Sequence, residues 1–164
     1  MKRILDFKRR ASDRGLCAEY TKMWNRALSK KELIDIATDA NGVHFIADAI
    51  SFGWGGIESS YISGEFAEYI NGNYQRRDGY TSRLYCGYSG KVVADSTILL
   101  LVDCYCPVEV PKDIFCSVVI AGKSDVTIVG EGRINELTIY KDSLCKTEMT
   151  PRKESVKDKS MWDR

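Results

Sequence analysis

Residues 108–139 carry four short segments of one form: Val108-Glu109-Val110, Val118-Val119-Ile120, Val126-Thr127-Ile128 and Leu137-Thr138-Ile139. Each reads apolar-x-apolar, the alternation of a strand with one buried face. Val108 to Val126 is 18 residues, and Val118 to Leu137 is 19. Two interleaved series at one period are what a β-solenoid produces, because each coil lays its strands on those of the coil before. The strands holding Val108 and Val126 are therefore expected side by side and parallel, as are those holding Val118 and Leu137. Two to three coils fit between residues 83 and 140 at this period. An antiparallel sandwich or meander also gives short strands at about 8–12-residue spacing and stands as the alternative.

Outward from this stretch, further strands are expected at 83–88, 91–94, 98–105 and 114–120. Ser89-Gly90, Gly122-Lys123 and Gly130-Glu131-Gly132 mark turns between strands. Pro107 and Pro111 flank a very short strand, which argues against a central place in a wide sheet. Before residue 80 the period changes. Leu16, Tyr20, Met23, Trp24 and Ala27 recur at helical spacing. Ser29-Lys30-Lys31-Glu32 is a capping box ahead of Leu33, Ile34, Ile36 and Ala37, with Asn41-Gly42 as the expected stop. Val43, Phe45, Ile46, Ala49 and Ile50 mark another helix. A last one spans about 58–70 and stops at Asn71-Gly72.

The expected fold is therefore α+β. An N-terminal helical segment (1–75) caps a compact, solenoid-like β segment (76–145) as one domain, and a flexible, mixed-charge tail (146–164) follows. A solenoid exposes a strand edge at each end, and such edges need cover. The helices are expected at the first. The tail, with its Met161-Trp162 pair, or a second subunit in a homodimer is expected at the last.

Composition excludes several classes. The chain has 164 residues and a net charge of +1, so the molecule as a whole has no electrostatic commitment to nucleic acid or to an acidic surface. The longest apolar run, Ile98 to Val102, is far below the roughly 20 residues of a membrane span. The basic start, Lys2, Arg3, Lys8, Arg9 and Arg10, lacks the apolar stretch of a signal peptide. A cytoplasmic protein without a membrane partner is expected. Six cysteines (17, 86, 104, 106, 116 and 145) include no CxxC pair, so no metal is expected. Cys104 and Cys106 fall on one face of a strand, as reduced core residues would.

The run Leu28-Ser29-Lys30-Lys31-Glu32-Leu33-Ile34-Asp35-Ile36-Ala37, then Gly53-Trp54-Gly55, Phe66-Ala67-Glu68-Tyr69-Ile70-Asn71-Gly72 and Gly79-Tyr80-Thr81-Ser82 with Leu84-Tyr85-Cys86, resembles a set of small uncharacterised proteins. They are found in gut bacteria and their phages or mobile elements. The resemblance covers about residues 16–140. It implies a helical half capping a short β-rich half and an accessory role, with no activity and no catalytic residue to carry over.

The chemically richest stretch is 69–88. It holds five of the nine tyrosines, Tyr74 and Tyr80 among them, interleaved with Arg76, Arg77 and Arg83, and Trp54 lies upstream. Arginine among aromatics suits a protein-interaction hot spot, and also base stacking or phosphate binding. In the plainer reading Tyr69 and Tyr85 fill the helix–sheet junction and the arginines are a solvated turn. The binding candidates are Arg76, Arg77, Tyr74, Tyr80, Arg83 and Trp54. Non-enzymatic protein interaction is the expected function, with nucleic-acid or nucleotide binding, including inhibition of a host defence, as the alternative. A basic cleft holding the arginines would favour that alternative. Catalysis has one candidate, His44, the single histidine, with Asp48 one turn on. A pocket holding it with a cysteine or carboxylate would favour an enzyme. No phosphate loop or other cofactor motif is present, since Gly53, Gly55 and Gly56 follow a helix and precede no Gly-Lys-Ser/Thr.

Overall fold

The computed structural model describes residues 18–27, 29–39, 42–53, 57–71, 74–77 and 80–158. Among them, the α-helices α1 (Ala18–Arg26), α2 (Lys30–Ala37), α3 (Gly42–Phe52) and α4 (Ser59–Glu65) precede the strands β1 (Tyr74–Arg77) to β10 (Lys153–Lys157). The capping box acts at the start of α2, where the Glu32 N–H donates to Ser29 Oγ at 3.1 Å. Gly42 does not stop α2, which ends at Thr38, but opens α3. A Cβ there would collide with Ile36 O and crowd Ala37, so glycine lets two helices meet at a tight corner. The helix expected over about 58–70 is shorter: α4 ends at Glu65 and a 3-10 turn over Ala67–Tyr69 follows, so Asn71, left-handed at φ 57°, ends no α-helix but turns the chain and accepts the Cys86 N–H on its Oδ1 at 3.0 Å.

The β half is a solenoid of about four turns. β2 (Tyr80–Cys86), β4 (Ile98–Val102), β6 (Phe115–Ala121), β8 (Arg133–Tyr140) and β10 pair in parallel in one sheet, with β1 antiparallel on its first edge. β3 (Val92–Val93), β5 (Tyr105–Val110), β7 (Asp125–Gly130) and β9 (Leu144–Thr147) form the second sheet, also parallel. The antiparallel sandwich is thereby removed. Val118 pairs with Leu137, as the 19-residue spacing predicts. Val108 lies opposite Ile128, and Val126 opposite Cys106. The strands pair as expected, but that coil is longer than 18 residues. Turn length varies from coil to coil while the apolar columns stay in register.

The solenoid also runs further than its apolar repeat. Residues 146–158, read from sequence as part of a flexible tail, complete β9 and supply β10. Backbone pairing to β7 and β8 orders these polar segments without an apolar repeat of their own. Residues 159–164, with Met161-Trp162, lie outside the described residues, as does the basic stretch before residue 18.

Two cores share one sheet. Every residue of β4 is buried, because the strand faces apolar groups on both sides. Leu99 and Leu101 point into the solenoid with Val118, Ile120, Val108 and Ile128. Ile98, Leu100 and Val102 point outward and pack with Leu33, Ile46, Ile62 and Phe66 of the helical half. The helices thus lie across the flat outer face of the larger sheet, while β1 lines its first edge. One column on the inner side of the larger sheet runs Arg83, Leu99, Val118, Leu137 and Glu154, with Glu154 exposed at its open end. Charged residues end it at both coils, a device that discourages edge-to-edge growth. No helix among the described residues is long and apolar enough to cross a membrane.

Candidate functional site

The hairpin β1–β2 collects five of the six expected binding residues. Its register sets Tyr74 opposite Arg83, Arg76 opposite Thr81 and Arg77 opposite Tyr80. β1 is the terminal strand of the six-stranded sheet, and β2 is its one neighbour in it. The stretch that reads as a solvated turn therefore contains an edge strand. Trp54 lies outside the described residues. Arg83 serves the fold: its Nε lies 3.2 Å from Asp95 Oδ1, and its side chain is 15% exposed. It ends the interior column of the first coil instead of facing outward.

Sequence reasoning named His44 but not the sheet residues that surround it. β6 and β8 pair Cys116 with Ile134 but Val118 with Leu137, so one extra residue bulges from β8 and Ser117 faces both Asn135 and Glu136. Consecutive strand residues normally point to opposite faces. Here the bulge brings both to one cavity of about 210 Å³, with Thr97, Ser117 and Thr138 from the sheet. Ile98 and Val119 form its apolar floor, and Val43 and His44 close it from the first turn of α3. The sequence did hold a signal for the bulge. In β8 the buried or core-packed residues Ile134, Leu137 and Ile139 are spaced three and then two apart, a break in strict alternation.

Within the cavity the polar groups are unequally engaged. Asn135 Nδ2 donates to Ser117 Oγ at 3.3 Å, and Asn135 Oδ1 accepts from Arg152 Nε at 2.6 Å. Arg152 Nη2 is 3.7 Å from Glu136 Oε1, an ion pair at the rim. His44 Nδ1 is buried without a hydrogen-bond partner. Burial, and then the charge of Lys157, hold its pKa below the ordinary 6.5, against the opposing pull of Asp48 and Glu136. Neutral imidazole is the form this site favours.

Asp48, one turn beyond His44, is turned elsewhere. It is 7% exposed, accepts the Tyr140 hydroxyl, and lies 3.6 Å from Lys157 Nζ. Lys157 Nζ also sits 5.7 Å from the Tyr140 ring centroid. This triad joins α3, β8 and β10 and is a clamp holding the helical half to the last strand.

Two larger clefts, about 450 and 300 Å³, run along the turns that follow the strands of the larger sheet. Their polar groups fasten the helices. Asp103 accepts from the Ser59 hydroxyl and from the Lys123 N–H, and the Gly122 N–H donates to Ser51 Oγ.

Cys86, Cys104, Cys106 and Cys116 are free and buried, and Cys145 is free and half-buried. Burial pushes the Cys116 thiol up to about 12 and Cys145 to about 11, the latter helped by Glu154 and Asp125. Because burial shields the three sulfurs from reagent, and although the hydrogen bond with Cys106 holds the Cys104 thiol below its ordinary range, Cys104, Cys106 and Cys116 should react slowly with a thiol reagent at pH 8 until denaturant is added. Fast labelling of all three in the native protein, or zinc found by metal analysis, would contradict the buried, reduced assignment.

Fold and surfaces together define a β-solenoid with a lateral helical cover, an edge hairpin and a small polar cavity. No protein-family model, curated protein or solved structure matches the chain.

Proposed function

We propose that this is a non-enzymatic interaction protein, an accessory factor of a bacterium, phage or mobile element, which works in the cytoplasm by binding an extended segment of a partner protein along β1. One observation carries the reading: β1, with the sequence Tyr-Gln-Arg-Arg, is the edge strand of a six-stranded sheet. An edge strand offers backbone N–H and C=O groups to an incoming strand, and side chains beside it supply specificity. Arg76 and Arg77 select for carboxylates on that segment, and Tyr74 and Tyr80 give it aromatic anchors. Binding of a second copy in a homodimer, or of nucleic acid, is an outcome that the test separates.

The test compares the wild type with the Arg76→Ala/Arg77→Ala double variant. Thermal stability should change little, since surface substitutions usually cost within about 0.5 kcal/mol. Partners should be captured from the native host by the wild type, identified by mass spectrometry, and titrated against both proteins. The variant should bind at least about tenfold more weakly, the loss of two charge-assisted contacts. A steep fall of affinity with salt on a single-stranded oligonucleotide would move the assignment to nucleic acid. Unchanged partner binding, or unfolding of the variant, would remove the hairpin as the site.

The cavity at His44 is the observation that favours a second reading, since it holds the histidine with a carboxylate, Glu136. A hydrolase built on Ser117 would need His44 beside its hydroxyl as base. The Ser117 hydroxyl is instead hydrogen-bonded to Asn135, and His44 Nδ1 has no partner, so ligand binding suits the cavity better than nucleophilic catalysis.

A further inference from the structure

We propose that residues 159–164 dock on the last coil as one more strand of the second sheet, with Trp162 capping the solenoid core and Asp163 beside Lys146. The surface that this segment covers is otherwise incomplete. β9 and β10 are the last strands of their sheets among the described residues, so each presents a row of backbone groups with no strand beyond it. The core between them is open as well. Val156 continues the inner column Tyr85, Leu101, Ile120, Ile139, yet it is 57% exposed. A solenoid needs a cap at such an end.

The turns set the register. β6 and β8 end at Ala121 and Tyr140, and the third residue on from each is a buried serine, Ser124 and Ser143. These serines stack: the Cys104 N–H donates to Ser124 Oγ at 3.0 Å, and the Ser124 N–H donates to Ser143 Oγ at 3.1 Å. A strand of the second sheet starts at the next residue, Asp125 or Leu144. β10 ends at Lys157, which pairs with Tyr140, and the third residue on is Ser160. The same count sets Ser160 next in the serine column and opens a strand at Met161. Met161 then lies beside Leu144, Trp162 beside Cys145, Asp163 beside Lys146 and Arg164 beside Thr147.

Each placement matches its neighbour in chemistry. Met161 lies against Leu144, an exposed apolar side chain on the outer face. Trp162 enters the inner column Cys106, Val126, Cys145 and covers Val156 from across the turn. Asp163 meets the Lys146 ammonium on the outer face. Arg164 turns inward toward Glu154, the carboxylate at the open end of the opposite column. A second copy fits this edge less well. Antiparallel pairing of two β10 strands about Ser155 sets Lys153 against Lys157, and pairing about Glu154 sets carboxylate on carboxylate.

Cys145 is the reporter, because Trp162 shields it in the docked state. Thiol labelling of the native full chain, read by peptide mass spectrometry, follows each cysteine separately. Trp162→Ala should speed Cys145 labelling at least about tenfold, the mark of a local opening, while Cys104 and Cys116 stay slow and show the remaining core intact. Asp163→Lys, on the exposed face, should speed it about threefold, and Asp163→Lys combined with Lys146→Asp should restore the wild-type rate. That rescue reads the register itself. Should Trp162→Ala free Cys104 and Cys116 too, the fold has opened and the charge-swap pair decides. Wild-type protection should be independent of protein concentration, and protection that grows with concentration would assign the end to a second copy and overturn the proposal. Equal Cys145 labelling in the wild type and Trp162→Ala, or a charge swap that restores nothing, would overturn it as well.

Discussion

Replacing Leu99 with alanine should lower the free energy of unfolding by about 2–5 kcal/mol, the range for truncating a fully buried leucine. Leu99 is 0% exposed at the centre of the shared sheet, paired with Val118 on one side and Arg83 on the other. Its removal opens a void in the solenoid interior, where a stack of coils cannot close around it without leaving register. The control is Leu144→Ala on β9, where the side chain is 65% exposed and the cost should stay within about 0.5 kcal/mol. Urea titration of both variants checks the pair. Equal losses would mean that β4 is not the central wall between the two cores.

The second large effect should come from Asp48→Ala, at about 3 kcal/mol, because it strands the Tyr140 hydroxyl and the Lys157 ammonium in a mostly buried setting. Asp48→Asn keeps an acceptor for Tyr140 and loses only the charge opposite Lys157, so about 1 kcal/mol is expected. A pH signature accompanies the clamp. Burial, and then the hydrogen bond and charge of Asp48, raise the Tyr140 phenol well above its ordinary 10. The folded state therefore holds that proton more tightly than the unfolded chain does. The stability involved is intact below pH about 10 and declines as pH rises above it, once the unfolded phenol ionises. Tyr140→Phe should flatten that alkaline decline in a series of urea titrations. A decline as steep in the phenylalanine variant as in the wild type would place the cause elsewhere.

Much of the architecture was readable from residue order. Period-two alternation returning every 18 or 19 residues pointed to stacked coils with an antiparallel sandwich as the alternative, and the parallel pairing of β5 with β7 and β6 with β8 decided between them. Helical spacing before residue 80 set the cover, and five consecutive apolar residues in β4 already carried the fact that this strand is covered on both faces. These features are local or periodic, and periodic burial is what a sequence records directly. The hairpin was legible in its residue types and not in its geometry. Arg76 and Arg77 read as turn residues because two arginines carry no strand signal, yet pairing with β2 draws them into an edge strand.

Sequence alone determined the class of fold, the approximate register of its coils and the places where arginine and tyrosine gather. Tertiary structure decided that β9 and β10 extend the solenoid, that Arg83 and Glu154 stand at the two ends of one column, and that a bulge brings Glu136 to the cavity His44 lines. Each of those outcomes depends on a partner distant in the chain. A polar strand is ordered by the backbone edge it docks against, and a charge is placed by the column it completes. The clamp beside the cavity is made by Asp48 and Tyr140, 92 residues apart. Such pairings leave no period in the sequence, because the energy that selects them arises only once the elements have packed.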